Sequence, residues 1–209
     1  MSVLVWVGAL RAADNPPAVV WRIEDLRKIG GQATEVIGAP RVTDGAVVFD
    51  GEDDGLLLAA NPLEGLREFT LEVLFYPEEN GLPEQRFWHA QDVDGARALL
   101  ETRLNGSGGW WLDTYLASAR TAGLPLIDPK KVHPTNAWYW VALRYEGKTM
   151  THFVNGVKER EGVVEFGPMG AGKLSLGVRQ NRVHWFKGSI REVRVTPLAL
   201  SDEALQRLK

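Results

Sequence analysis

The chain has 209 residues and a formal charge of −3, from Lys+Arg 24 against Asp+Glu 27, which excludes bulk attraction to nucleic acid or an anionic membrane. It has no cysteine, so disulfides, zinc–thiolate sites, iron–sulfur clusters and cysteine nucleophiles are excluded together. With 44% hydrophobic residues, 22 Gly and 11 Pro it reads as a turn-rich globular chain, and no apolar run reaches the ~18 residues of a membrane span.

Residues 2–10 (SVLVWVGAL) are apolar, and small residues and Pro16-Pro17 follow. Residues 1–13 read as a signal-peptide remnant, which makes the protein an exported one, periplasmic or extracellular. The alternative is a first β-strand with Val3, Val5 and Val7 on one face. From residue 18 the chain reads as short strands separated by turn residues, a spacing that favours an all-β sandwich over βαβ units. Val19–Ile23, Val47–Phe49 and Leu56–Leu58 come first, divided by Asp44-Gly45 and Asp50-Gly51. Phe69–Tyr76 alternates clearly and ends at Pro77. Gln85–Gln91, Leu99–Leu104, Trp110–Leu116, Trp138–Tyr145, Met150–Val154, Lys173–Arg179 and Ser189–Thr196 bring the total to about ten strands. Asn155-Gly156 sits where a hairpin needs positive φ. Ile23–Ile29 is expected to make a helical turn or two, and Ser201–Leu208 a short C-terminal helix capped by Ser201. No linker or repeat divides residues 18–209, so one domain is expected.

Several of these segments, in order, resemble the concanavalin A-like lectin/glucanase superfamily, and within it the bacterial laminin-G-like jelly-roll domains. They are Val48–Gly55 (VFDGEDDG), Phe69–Pro77 (FTLEVLFYP), Trp138–Gly147 (WYWVALRYEG), Phe153–Val157 (FVNGV), Leu174–Val178 (LSLGV) and Phe186–Leu200 (FKGSIREVRVTPLAL). The resemblance spans about residues 40–205. It implies a jelly-roll β-sandwich of two antiparallel sheets, one of them concave, whose ligands are often glycans. Fold alone does not establish function.

Strand alternation locates a candidate binding face without the resemblance. One face of each strand fills the core and the other meets solvent. Burying Leu100 and Leu104 turns Glu101 and Arg103 outward, and burying Leu112 and Leu116 turns out Trp111, Asp113 and Tyr115. Burying Leu174, Leu176 and Val178 turns out Ser175, Gly177 and Arg179, and Phe69–Tyr76 presents Glu72 and Tyr76. His89 joins this face or stands at an edge, because Phe87 and Trp88 are both large and apolar and leave the parity open. Tyr76, His89, Glu101, Arg103, Trp111, Asp113, Tyr115 and Arg179 are the expected ligand-binding set. Rings stack on pyranose faces, and charged groups bind vicinal hydroxyls. The same set also fits an ordinary solvated sheet face with cross-strand ion pairs.

Asp50, Asp53 and Asp54 form a hard-oxygen cluster able in principle to hold calcium. The resemblance implies a structural Ca²⁺ between this loop and the last strand. Arg191 stands where that pattern carries Asp, so a salt bridge from Arg191 into the loop is the competing expectation. The histidines have no HExxH spacing, there is no E-x-D-x-E strand of the glucanase type, and Gly167–Gly172 opens no helix, so no catalytic residues are assigned. The leading expectation is non-catalytic recognition of an oligo- or polysaccharide on the concave sheet. The alternatives are a polysaccharide lyase or glycoside hydrolase, with His89 or Tyr115 as general base and Arg103 neutralising a uronate in an elimination, and a protein-docking module with an apolar patch around Trp110, Trp111 and Trp185.

Overall fold

The computed structural model describes residues 18–208; the segment read as a signal remnant or first strand lies outside them. The strands are β1 (Val19–Arg22), β2 (Lys28–Ile29), β3 (Gln32–Ile37), β4 (Arg41–Thr43), β5 (Ala46–Asp50), β6 (Gly55–Leu58), β7 (Phe69–Pro77), β8 (Glu84–Asp92) and β9 (Arg97–Leu104). They continue with β10 (Gly109–Ala117), β11 (Leu124–Ile127), β12 (His133–Pro134), β13 (Tyr139–Tyr145), β14 (Thr149–Val154), β15 (Val157–Val163), β16 (Gly172–Leu176) and β17 (Lys187–Thr196). The back sheet has eight strands, in the order β15-β14-β13-β7-β17-β5-β4 with β1 on β17. The front sheet has nine, in the order β11-β10-β9-β8-β16-β6-β3-β2 with β12 on β10. All the strand pairs are antiparallel, so the expected all-β sandwich is what forms.

Local chemistry sets the register. Asn155 (φ 48°) and Gly156 (φ 73°) form the whole connection between β14 and β15, and Asp44 (φ 51°) and Gly45 (φ 72°) do the same between β4 and β5. Two consecutive residues at positive φ give a turn whose twist matches the strands it joins. Between the sheets, alternate residues of each strand meet in one core. Phe75 of the back sheet stacks on Phe87 of the front sheet at 4.4 Å, and Trp110 meets Phe75 edge-on at 5.1 Å. Fully burying one such ring contributes roughly 1.5–3 kcal/mol. Polar contacts also join the sheets: within this core the Thr114 hydroxyl and His152 Nδ1 lie 3.1 Å apart, both side chains buried.

Two expected helices do not form. Asp25 Oδ1 accepts the Arg27 N–H at 2.8 Å, which makes a turn of the Ile23–Ile29 segment before β2. At the C-terminus only Asp202–Ala204 forms a 3-10 turn, and Ser201 makes no side-chain cap. Tertiary contacts pull the rest straight: Leu205 buries against Ala142 and Phe153, and the Gln206 N–H donates to Glu72 at 2.6 Å. This covering segment is why Glu72, expected to face solvent, is 2% exposed. Among the described residues no helix is long and apolar enough to cross a membrane.

Candidate functional site

Three neighbouring strands of the front sheet, β8, β9 and β10, build the site. Arg97, Leu99, Glu101 and Arg103 alternate along the outer face of β9, and Trp111, Asp113 and Tyr115 along that of β10. Cross-strand register sets Trp111 opposite Arg103, Asp113 opposite Glu101 and Tyr115 opposite Leu99. A β-bulge in β8 supplies the third row. Arg86 pairs with Glu101 but Trp88 with Leu100, so Phe87 is the inserted residue. Phe87 and Trp88 then both enter the core, and Arg86 and His89, three apart in sequence, both face outward. A bulge that re-aims side chains in this way resolves the parity of His89.

The outer face carries a cleft of about 290 Å³. Its walls include Arg86, Arg97, Glu101, Arg103, Tyr115 and Arg179, with Asp113 beside them. Arg103 is the hub: its Nε lies 2.8 Å and its Nη2 2.7 Å from Asp113 Oδ2. Its Nη2 also lies 3.5 Å from Glu101 Oε2, and its Nη1 contacts Glu84 Oε2 closely. Arg86 pairs through Nε with Glu101 Oε1 at 2.8 Å and through Nη1 with Glu84 Oε1. The Glu101 and Asp113 side chains are only 4% and 5% exposed, so they form a floor beneath the arginines. Charges buried this deeply persist only when paired.

The electrostatics follow from this layering. Burial, then the facing Asp113 carboxylate, raises the Glu101 carboxyl to about 7 against the pull of Arg86 and Arg103. Burial also raises Asp113, with Arg103 opposing it. Burial works to raise the better-solvated Glu84 too, but Arg86 and Arg103 together outweigh it and hold that carboxyl below its usual range. Burial, followed by Arg179, Arg97 and Arg86, drives His89 down to about 3, so it is a neutral imidazole. Its Nδ1 accepts the Gln180 N–H at 3.2 Å. Arg97 and Arg179 make no ion pair with a carboxylate among the described residues. The Arg97 guanidinium lies 5.3 Å from the Tyr115 ring centre.

Of the expected ligand-binding set, the cleft brings together Glu101, Arg103, Asp113, Tyr115 and Arg179. Trp111 shares their face, half-buried beside the cleft. His89 lies beneath it at 1% exposure, out of reach as a general base on a bound chain. Tyr76 is not part of the site: it lies on the back sheet, with its ring 5.5 Å from Trp138. Alternation within β7 cannot reveal which sheet that strand joins. Gly177 also departs from the expected parity, since at φ +78° a Cβ there would fall 2.3 Å from Phe49 Cδ1. It therefore faces the core, and Val178 lies instead against Gly55. Ser175 is fully buried, with its hydroxyl donating to the Val178 carbonyl at 2.6 Å. Arg86 and Arg97 are the charged cleft residues that sequence reasoning missed, and Leu99 and Pro125 the apolar ones. Extending the Leu99–Leu104 alternation by one step would have found Arg97, whereas Arg86 depends on the bulge.

The other expected features resolve differently. Carboxylate oxygens of Asp50, Asp53 and Asp54 come within 4.8 Å of one another. Asp50 Oδ1 accepts the N–H groups of Glu52, Asp53 and Asp54, and the two oxygens of Asp54 accept those of Ala39 and Asp50. Burial works to raise the Asp50 carboxyl, yet these backbone donors outweigh it and hold it low. A cation here would compete with five backbone N–H groups, so the donor set fits turn closure better than the 6–8 oxygens calcium takes. Arg191 makes no bridge to this loop. It is the bulged residue of β17; its guanidinium lies 4.3 Å from the Trp138 ring centre and donates to the Asp44 carbonyl. Trp110, expected in an apolar surface patch, is fully buried in the core.

A larger groove of about 670 Å³ runs past Asp92, Arg120 and Gly170. Its buried acid is structural, because Asp92 accepts the N–H groups of Asp94, Ala96 and Gly170.

Comparison with known proteins matches this architecture. Domain 4 of AbnA, a GH43 extracellular arabinanase from Geobacillus stearothermophilus, solved in complex with arabinotriose, superposes with a TM-score of 0.67 at 18% identity, over 88% of this chain and 94% of that one. The binding domain of Paraclostridial Mosquitocidal Protein 1 gives 0.67 at 14%, over 91% and 50%. The botulinum neurotoxin serotype D ligand binding domain, in complex with N-acetylneuraminic acid, gives 0.64 at 13%, over 88% and 48%. The chain thus spans about half the length of each toxin binding domain. At these identities the likeness shows the fold. No curated relative matches in sequence. A laminin-G-like family model, described as Concanavalin A-like lectin/glucanases superfamily, matches residues 50–206, and the chain belongs to that superfamily.

Proposed function

We propose that the protein binds carbohydrate, without cleaving it, in the cleft on the outer face of the front sheet. The observation that carries this reading is a cleft lined by the forked guanidinium donors of Arg86, Arg97, Arg103 and Arg179 together with the Tyr115 ring. Donors of this kind bridge vicinal hydroxyls, and an aromatic ring stacks on the apolar face of a sugar. The arabinanase domain solved with arabinotriose supports the reading by likeness of fold.

The geometry disfavours the two enzymatic alternatives. A carboxylate acting as acid or nucleophile must reach the glycosidic bond. Glu101 and Asp113 lie instead below the arginines, paired to them. Arg103, the expected neutraliser of a uronate in an elimination, is already engaged by three carboxylates. Export, expected from the N-terminal residues, would bring such a cleft to extracellular glycans.

The test is tryptophan fluorescence and calorimetry against a panel of neutral and acidic oligosaccharides, with ultraviolet absorbance followed for unsaturated products. Saturable binding with flat absorbance, weakened at least tenfold in Tyr115→Ala, is the expected result. Product formation, or undiminished binding by that variant, refutes the reading.

A further inference from the structure

Four arginines and three carboxylates converge on this face, but they do not pair evenly. Arg86 and Arg103 between them engage Glu84, Glu101 and Asp113. Arg97 and Arg179 line the same cleft with no carboxylate partner among the described residues. We infer that the saccharide this cleft takes is an acidic one, whose carboxylate is held by Arg97 and Arg179. This inference rests on the glycan-binding reading and names the ligand's chemical class.

The argument is one of unmet charge. Burial, then Arg86 and Arg97, outweigh the opposing pull of Glu101 and Glu84 and make it harder for Arg179 to stay protonated, so repulsion among the guanidinium groups is only partly offset by the carboxylates. A neutral sugar leaves that repulsion in place and partly desolvates two cations. A carboxylate relieves it, and its two oxygens match the planar fork of an arginine. Cleft walls of low dielectric strengthen the field further. Position favours the same pair of residues. Arg97 starts β9 and lies against Tyr115, and Arg179 follows β16, so they reach the cleft from two separate elements. Selectivity follows because it is a difference in affinity, and here the neutral competitor is penalised.

The test uses the full chain and three probes of equal length: an oligouronate, its carboxyl-reduced neutral counterpart, and a sulfated neutral oligosaccharide. Charge-assisted hydrogen bonds predict that the uronate binds on the order of tenfold or more tighter than its reduced form. That preference should shrink with added salt in the wild-type protein, and Arg97→Gln/Arg179→Gln should bring uronate affinity down to that of the neutral probe. The salt series needs no variant, so misfolding of the double variant would not shield the inference. Equal affinity for the uronate and its reduced form overturns it and leaves the glycan reading intact. Tightest binding of the sulfated probe overturns the carboxylate assignment. Failure of all three probes to bind overturns both.

Discussion

Arg103 is a hub that holds buried carboxylates apart, so its removal should act on stability before it acts on binding. In Arg103→Ala, Glu101 keeps Arg86 at 2.8 Å, whereas Asp113 loses its ion-pair partner while its side chain is 5% exposed. Stranding one buried charge costs on the order of 3–5 kcal/mol at a pH where it stays ionised. The protein can escape part of that cost by protonating Asp113 and Glu101, and this fixes the sign. Between the unfolded and the raised folded pKa of these carboxyls the folded state binds the extra proton, so unfolding free energy falls as pH rises. The variant raises those folded values further, so its deficit should be largest at pH 8. Each unit of acidification returns up to about 1.4 kcal/mol per additional proton bound, which leaves a deficit of roughly 1–2 kcal/mol at pH 5. Urea denaturation of both proteins at the two pH values reads this directly. Adding Glu101→Gln and Asp113→Asn to Arg103→Ala should recover most of the loss, since no charge is then left unpaired. A deficit below about 1 kcal/mol at pH 8, or one equal at pH 5 and pH 8, would refute the hub assignment.

Other consequences are as specific. His152, like His89, is held by burial at about 3, so between pH 6.5 and 3 the unfolded state binds the extra proton and stability falls as pH drops. His152→Gln should remove about 1.4 kcal/mol per pH unit of that slope between pH 6 and pH 4, measured by urea titrations, and an unchanged slope would sink the assignment. Gly177→Ala combines a φ of +78° with a Cβ 2.3 Å from the Phe49 ring, and should cost roughly 3 kcal/mol or more. A thermal midpoint within a degree or two of wild type would show that Gly177 is not pressed against Phe49. A normal cost with unaltered ligand affinity is the expected signature, because Gly177 faces the core and not the cleft.

The sandwich and much of its binding face could be read from alternation. Along Leu99–Leu104 and Trp110–Leu116 the period of two sorts apolar from polar residues cleanly, because one face of each strand is core and the other is not. What escaped were events of other kinds. The bulge at Phe87 adds one residue, and the period then inverts without any change in composition. Gly177 inverts it a second time by positive φ. The assignment of strands to sheets was equally hidden: β7, which carries Tyr76, pairs with β13 and β17, far along the chain. Edge strands such as β15, with Lys158, Glu159, Arg160 and Glu161 in succession, read as loops because a charged edge resists pairing with other chains.

The cleft exposes a deeper limit of alternation, which tells which way a side chain points and not whether it reaches solvent. Glu101 and Asp113 point outward, as their parity requires, and are nevertheless 3% exposed. They read as ligand contacts from sequence, and in the folded protein they are counter-ions beneath a layer of arginine. On the proposed reading, the residues that meet a ligand are those left over once the internal pairs have formed. Arg179 was within reach of sequence reasoning and Arg97 was one alternation step beyond it, but nothing in either position marks it as lacking a carboxylate partner among the described residues. That property belongs to the set of cross-strand registers, since the same seven charges with β8 shifted by one residue would pair differently and offer a different face. Charge complementarity at a sheet surface is therefore a tertiary observable, set by the registers that pair some of its charges and leave others to solvent.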